Sequence, residues 1–367
     1  MGGRNVNGTK IDEKYLVSTF YVFFLIHASQ TGIGMLNFQR VVAQYTEQDA
    51  WISVIIMGLS THLIVWMIYK MLLPSYDILA IHDLCLGRIL GKVISTGLVL
   101  YFLLLFVVVF RTYIEIIQHW IFPWISTWEL GLFIGFIIYY FVSGGFRKLT
   151  GLAFFGVVLP SILFFTLYFP LRYAHLDNLI PILNHSFIDI LKSSKSASLV
   201  FVGFETLVVY LPYIKNPEKS KKWAHIALLY TTFLYVVITL VTLVYYSQGQ
   251  LQETLWPTLT MTKIIELPFI ERFEYIFIFT WFLVILPTVC IPIWSCTRLL
   301  KKMYKMRPKL SLPCLMIFIY IVSICIENRA MVDTLGNLTN EISFYFVFLY
   351  IPALFFLFSI RRRLTNS

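Results

Sequence analysis

Gln30-Thr31-Gly32-Ile33-Gly34 interrupts one apolar stretch near the start of the chain, and Val202-Gly203-Phe204-Glu205 interrupts another in its second half. Each lies inside a run long enough to cross a bilayer as a helix. Glycine costs a helix interior about 1 kcal/mol relative to alanine, so Gly32 and Gly34 together mark a break. Unwinding frees N–H and C=O groups that lipid cannot satisfy, so they must face a polar cavity or a ligand. The half-helix N-termini also offer positive dipole ends to a carboxylate. The second break carries Glu205 into the membrane, where a carboxylate costs ~2.5–3.5 kcal/mol on insertion scales. It must be paired, hydrated or protonated there. Small residues also allow close helix packing, which is the alternative reading of each glycine. A matching second break that contains a carboxylate favours a site. At Glu205 itself a functional group and a structural hydrogen bond that holds the broken helix together are both open readings.

Working outward, the 367 residues are 59% hydrophobic, 17% aromatic and 13% charged, with a mean hydropathy of +0.78. Soluble domains carry about 25% charged residues. A cytosolic enzyme, a disulfide scaffold and a disordered chain are excluded. Continuous apolar runs also exclude a β-barrel, whose strands alternate. Crossing the hydrocarbon takes about 20 apolar residues. Ten stretches qualify, at 15–36, 50–70, 92–117, 129–145, 149–171, 197–214, 223–247, 273–297, 311–327 and 341–360. The third is over-long and should project beyond the bilayer. The expected fold is an all-α polytopic membrane protein, one integral domain over 1–367 with five-helix repeats at 15–171 and 197–360. Five is odd, so the second set enters the membrane from the opposite side. The breaks then fall in helices 1 and 6, the first span of each half, as expected for an inverted repeat with its site at the bilayer midplane. Pro160 and Pro352 lie within the fifth and tenth spans.

The net charge of +10 has a topological explanation. With the N-terminus inside, all the basic residues except Arg40, Arg111, Arg172, Lys192, Lys195, Lys263, Arg272 and Arg329 fall in inner segments, among them Arg4 and Lys10. This predicts cytoplasmic N- and C-termini and an even number of spans. Arg361, Arg362 and Arg363 meet the anionic inner leaflet. The partner implied by this basicity is the lipid bilayer, not nucleic acid. Residues 1–14 are polar and the following apolar run is long, which reads as a retained span rather than a signal peptide. The five cysteines lack metal-ligand spacing and read as small buried hydrophobes. No GxSxG, P-loop or paired His/Asp cluster appears, so no enzyme activity, metal or cofactor is expected.

Smaller features carry their own expectations. Arg111 and Glu115, four apart on one helix, suit an ion pair. His27 and His62 read as packed or hydrogen-bonded. Glu271, Arg272 and Glu274 begin the eighth span, either as a charged helix start or as a gate or subunit contact. Residues 176–196, with Ile182, Leu183, Phe187, Ile188 and Leu191 near helical spacing, suggest an interfacial helix. Residues 247–272 suit a lid or a partner surface.

Gly32-Ile33-Gly34-Met35-Leu36 resembles the first-helix motif of amino acid–polyamine–organocation permeases, and Phe201-Val202-Gly203-Phe204-Glu205 their sixth-helix motif. Three further stretches resemble the B subunits of spore germination receptors. They are Leu211-Pro212-Tyr213 with the lysine-rich loop to Lys222, Trp256-Pro257-Thr258, and Phe269-Ile270-Glu271-Arg272-Phe273-Glu274. The similarity covers essentially the whole chain. Where members usually have proline before arginine, this chain has Gln39-Arg40, which bears on how the outer half of the first helix ends. The resemblance implies ten helices in a LeuT-like inverted repeat and recognition of a small nutrient, usually an amino acid. It also implies assembly with A and C subunits in the inner membrane of an endospore. It draws Tyr101 toward the site as well. The expected ligand-binding set is Thr31, Gly32, Ile33, Gly34, Tyr101, Phe201, Gly203, Phe204 and Glu205. An amino acid secondary transporter of the same superfamily is the alternative. The fifth span has no central lysine to stand in for a coupling cation.

Overall fold

In hydrocarbon a helix satisfies its own backbone groups, and the long apolar runs of this chain form helices, the first and sixth of them broken. The protein, seen as a computed structural model, is described over residues 11–75, 77–268 and 270–366. Arg4, Lys10 and Phe269 of the sequence reading lie outside those residues. Among the described residues seven helices are long and apolar enough to cross a membrane, and Thr127–Ser143 is a shorter apolar helix. The first span is split into Tyr21–Gln30 and Phe38–Thr46. The second to fifth are Ala50–Ser75, Arg88–Trp120, Thr127–Ser143 and Phe146–Leu171. The sixth is split again, with Phe187–Ser196 and Ser198–Phe201 before the break, and Phe204–Thr206 and Leu207–Tyr210 after it. The last four are Pro217–Tyr245, Phe273–Tyr304, Pro308–Cys325 and Arg329–Leu364.

Side-chain pairs fix the direction of each pass. His27 meets Thr231 and the Gln30 carbonyl meets Tyr235, so the first and seventh spans run parallel. Tyr69 meets Ser220 and His62 meets His225, so the second runs against the seventh. The third runs against the eighth, since Cys296 reaches Val99 and Tyr113 reaches Ile278. One end of the bundle gathers the basic loops. There Lys215 pairs with Glu13 at 2.6 Å and Lys302 with Asp77 at 2.9 Å. Backbone bonds join Val17 to Tyr213 and Lys215, tying the start of the first span to the end of the sixth. At the opposite end Lys195 pairs with Glu341 at 2.8 Å, and His175 N–H donates to the Val244 carbonyl at 2.7 Å.

Two spans begin earlier than hydropathy predicts. Within 176–196 the structure forms a helix over Phe187–Ser196, which runs on into Ser198–Phe201 of the sixth span. Its small polar residues pack it tightly: Ser193 Oγ donates to the Val42 carbonyl at 2.8 Å, and Ser194 Oγ to the Ser53 carbonyl at 3.2 Å. The tenth span starts at Arg329 rather than 341, because its first turns carry Asp333, Asn337 and Asn340 toward a cavity. The cysteine reading is corrected as well. Cys85, Cys290 and Cys296 are buried, but Cys314 and Cys325 are exposed on the ninth span, which lies at the bundle edge.

The connection before the sixth span is anchored by Asp49. Its buried carboxylate accepts from the N–H groups of Leu183 (2.8 Å), Asn184 (2.8 Å) and His185 (3.3 Å), and lies 3.0 Å from His185 Nδ1. Gln48 Nε2 adds a bond to the Pro181 carbonyl at 2.8 Å. Asp49→Ala should release this segment, at about 3 kcal/mol for the lost charge-assisted bonds. Limited proteolysis in vesicles should then cut between 181 and 186, where the parent protein resists. Unchanged resistance would show that other contacts hold the loop.

Candidate functional site

Glycine is required at the second break. Gly203 has φ +108°, a region that L side chains rarely adopt, and a Cβ there would strike the backbone carbonyl of Ser29, in the last helical turn before the first break. The two broken helices thus meet backbone to backbone. Gln30 Nε2 donates to the Phe201 carbonyl at 2.7 Å, and Tyr235 Oη lies 2.9 Å from the Gln30 carbonyl and 3.2 Å from that of Val200. The Thr288 hydroxyl reaches the carbonyls of Ala28 (3.0 Å) and Thr31 (3.3 Å). Side chains from the seventh and eighth spans therefore take up carbonyls that the unwinding frees.

A cavity of about 810 Å³ runs down to these breaks from the end opposite the basic loops. Its deep wall includes Gly32, Ile33, Gly34, Val200, Val202 and Gly203, with Val108, Val109 and Thr288 across from them. Arg40, Lys192, Lys195, Arg329, Asp333 and Glu341 lie toward its mouth. Arg329 is held there by Glu115 (3.0 Å) and Asp333 (2.5 Å).

The expected site residues divide by position. Gly32, Ile33, Gly34 and Gly203 line the cavity. Glu205 lies behind the break, fully buried, with Oε1 accepting from Tyr101 Oη at 2.7 Å and Oε2 from Gly203 N–H at 2.7 Å. Tyr101, buried beside it, stacks on Phe346 at 4.2 Å. Thr31 turns away. Its hydroxyl donates to the His27 carbonyl at 2.8 Å, and the residue borders a separate apolar cavity of about 70 Å³ with His27, Met35 and Trp281. Phe201 and Phe204 are buried in the core, Phe201 edge-on to Tyr235. Sequence reasoning left Gln30, Tyr235 and Thr288 out of the site. A buried amide in an apolar span was a usable signal for Gln30. Hydroxyls are too common in membrane helices to single out the other two.

Other expectations resolve at the same level. Arg111 and Glu115 do not pair. Arg111 Nε donates to the Ile326 carbonyl at 2.8 Å, just beyond the ninth span, where helix-end carbonyls lack intrahelical partners. Glu115 goes instead to Arg329. His27 and His62 are hydrogen-bonded, to Thr231 (2.8 Å) and His225 (2.9 Å). Arg272 and Glu274 pair locally at 2.9 Å at the start of the eighth span. At the departure from the permease motif, Gln39 Nε2 donates to Thr258 Oγ1 at 2.6 Å. The Thr258 hydroxyl in turn reaches the Met35 carbonyl at 3.1 Å, fastening the Trp256-Pro257-Thr258 stretch to the first span. Among the described residues no His, Cys, Asp or Glu cluster is arranged to hold a metal ion.

Known proteins match this architecture. The family model described as "Spore germination protein" (Spore_permease) covers residues 16–332. Spore germination protein GerQB of Bacillus cereus is 42% identical over 347 residues, 94% of this chain and 96% of that protein. Spore germination protein YndE of Bacillus subtilis (strain 168) is 24% identical over 352 residues, 94% of this chain and 96% of its own. Among solved structures, MhsT in complex with L-phenylalanine superposes with a TM-score of 0.61 at 12% identity, covering 94% of this chain and 89% of that one, a likeness of fold. A LeuT-like helix bundle broken at residues 31–37 and 202–203, matched by the family model over most of its length, makes this integral membrane chain a member of the spore germination protein (spore permease) family.

Proposed function

We propose that this chain is the nutrient-sensing B subunit of a spore germinant receptor, and that its cavity receives a small nutrient of the amino acid class. The carrying observation is the 810 Å³ cavity ending where both broken helices meet. The fold neighbour's complex with L-phenylalanine supports the ligand class. The cavity-lining Gly32, Ile33, Gly34 and Gly203 form the ligand surface in this reading. Thr31, Tyr101, Phe201, Phe204 and Glu205 shape it from behind. The chain sits in the inner membrane of the endospore with both termini cytoplasmic, beside A and C subunits. Its repeats are 15–171 and 197–360, the second extended back to residue 187. A ligand held between the broken helices favours one arrangement of the bundle, and that bias reaches the partner subunits. Catalysis has no part in this reading.

An amino acid transporter would use the same cavity, so flux separates the two. The purified protein in vesicles should bind radiolabelled neutral amino acids without concentrating them under a proton or sodium gradient. Spores lacking the chain should lose the response to its nutrient. Gradient-driven uptake by the isolated protein, with germination intact on deletion, would establish the transporter instead.

A further inference from the structure

The fifth span thins where it leaves the α-helical pattern. After Phe146–Val158 it continues over Pro160–Leu167 as a 3₁₀ helix, a tighter coil than the α-helix. Pro160 brings no N–H to the α-helical ladder, which accounts for the change. Beside the slimmer coil lies the apolar cavity of about 70 Å³ that Thr31 borders, between the first, fifth, seventh and eighth spans. Its walls include Leu163, Leu167, Leu234, Phe277 and Trp281. The exposed residues of its lining, Ser161, Phe164 and Tyr230, stand on the fifth and seventh spans, beside the exposed Ile162, Phe165 and Phe233. In a membrane that side meets hydrocarbon, so the cavity is reached from the bilayer.

Its polar groups share one character. The hydroxyls of Thr31, Ser161, Thr166 and Thr262 donate to the carbonyls of His27, Val158, Leu163 and Leu259 at 2.6–2.8 Å. Each hydroxyl has a single hydrogen, so toward the cavity these four can only accept. Thr258, bonded to Met35 and Gln39, adds no donor. His27 is 5% exposed, and its Nδ1 lies 2.8 Å from Thr231 Oγ1. That hydroxyl reaches the Ala227 carbonyl at 2.9 Å, which assigns its hydrogen to Ala227 and the ring hydrogen to Nδ1. Nε2 is then a bare acceptor with no hydrogen-bond partner among the described residues. The Trp281 N–H is buried out of reach, and the Tyr230 hydroxyl stands at the opening. Apolar walls with acceptors to fill suit a molecule that is apolar except for one donor. A cavity of about 150 Å³ takes a benzene, so about half that volume holds a short alkyl segment, and a longer chain must run out toward lipid.

We propose that this cavity is a binding site for an aliphatic alcohol drawn from the bilayer, its hydroxyl donating to His27 Nε2 and its chain passing between the fifth and seventh spans. The site is separate from the large cavity and does not depend on the nutrient reading.

The test uses the purified full-length protein in lipid nanodiscs, a diazirine-bearing octanol as photolabel, and 1-hexanol and 1-methoxypentane as competitors. The two competitors have the same heavy atoms, and only the alcohol can donate. Label should concentrate on the lining, at Met35, Met261 and residues 160–167. At equal content in the membrane, 1-hexanol should displace it about fivefold better than 1-methoxypentane, as for one neutral hydrogen bond. His27→Phe keeps an aromatic ring against Phe23 and removes the acceptor, so it should erase that difference. Ser161→Phe, at the exposed opening, should block labelling of the lining while leaving His27 in place. Label spread evenly over lipid-facing residues such as Phe133 and Phe136 overturns the site. Equal competition by the alcohol and the ether overturns the assignment of an alcohol without any variant. A folded His27→Phe protein that keeps the difference overturns the role of His27.

Discussion

Gly203→Ala should cost the protein about 3 kcal/mol or more, whereas Gly34→Ala should cost well under 1 kcal/mol. A residue with a Cβ forced to φ +108° carries strain of order 1–3 kcal/mol. The Ser29 carbonyl then blocks the new atom, and it is backbone, so it cannot swing aside as a flexible side chain would. Relief requires the two broken helices to separate, which also pulls Gln30 from Phe201 and Tyr235 from both carbonyls. At Gly34 the added methyl would lie 3.5 Å from Val200 Cγ1, an ordinary contact. Gly32 falls between, with its Cβ 3.0 Å from Thr288 Cγ2. Thermal unfolding in detergent should rank the variants Gly34, Gly32, Gly203 by increasing damage, and the nutrient response of spores should follow the same order. Equal loss at Gly34 and Gly203 would mean that ligand contact, not helix approach, sets the need for glycine.

That ranking was not legible in the sequence, where the glycines of both breaks look alike. The breaks were legible, because two glycines in an apolar run contradict helix propensity on purely local grounds. The membrane helices were legible for the same reason: among the described residues seven are long and apolar enough to cross, and the basic residues gather at one end of the bundle. What hydropathy misread lies where a helix faces polar space within the protein. The start of the tenth span carries Asp333 and Asn340 into the cavity, and the start of the sixth packs Ser193 and Ser194 on its neighbours. Averaging over a window makes both resemble loops. Arg111 and Glu115 failed differently. Four-residue spacing permits a pair, yet carbonyls and an arginine from elsewhere in the chain offered better partners. Such competition is a tertiary property, and no local pattern encodes it.

Glu205 should prove a support for the break rather than a ligand contact, and its variants should divide accordingly. The carboxylate spans Tyr101 Oη and Gly203 N–H, each at 2.7 Å, on the side of the break away from the cavity. Glu205→Ala leaves both donors buried and unpaired, a loss of about 3 kcal/mol or more. Glu205→Gln keeps one oxygen for Gly203 N–H and turns its NH₂ to Tyr101 Oη, which can accept, so that the Tyr101 O–H loses its acceptor, for a loss of about 1–2 kcal/mol. Tyr101→Phe should destabilise by about 1 kcal/mol. The double variant Tyr101→Phe with Glu205→Gln should lose less than the sum, because the amide no longer faces an unpaired hydroxyl. Thermal unfolding measures all four terms of that cycle. Binding of L-leucine supplies the second readout. If Glu205 only props the break, Glu205→Gln should bind within about threefold of the parent once folded, since a change that small is under 1 kcal/mol. Loss of binding with unchanged stability would put the carboxylate on the ligand itself, and would mean that the break opens toward Glu205 when the nutrient enters.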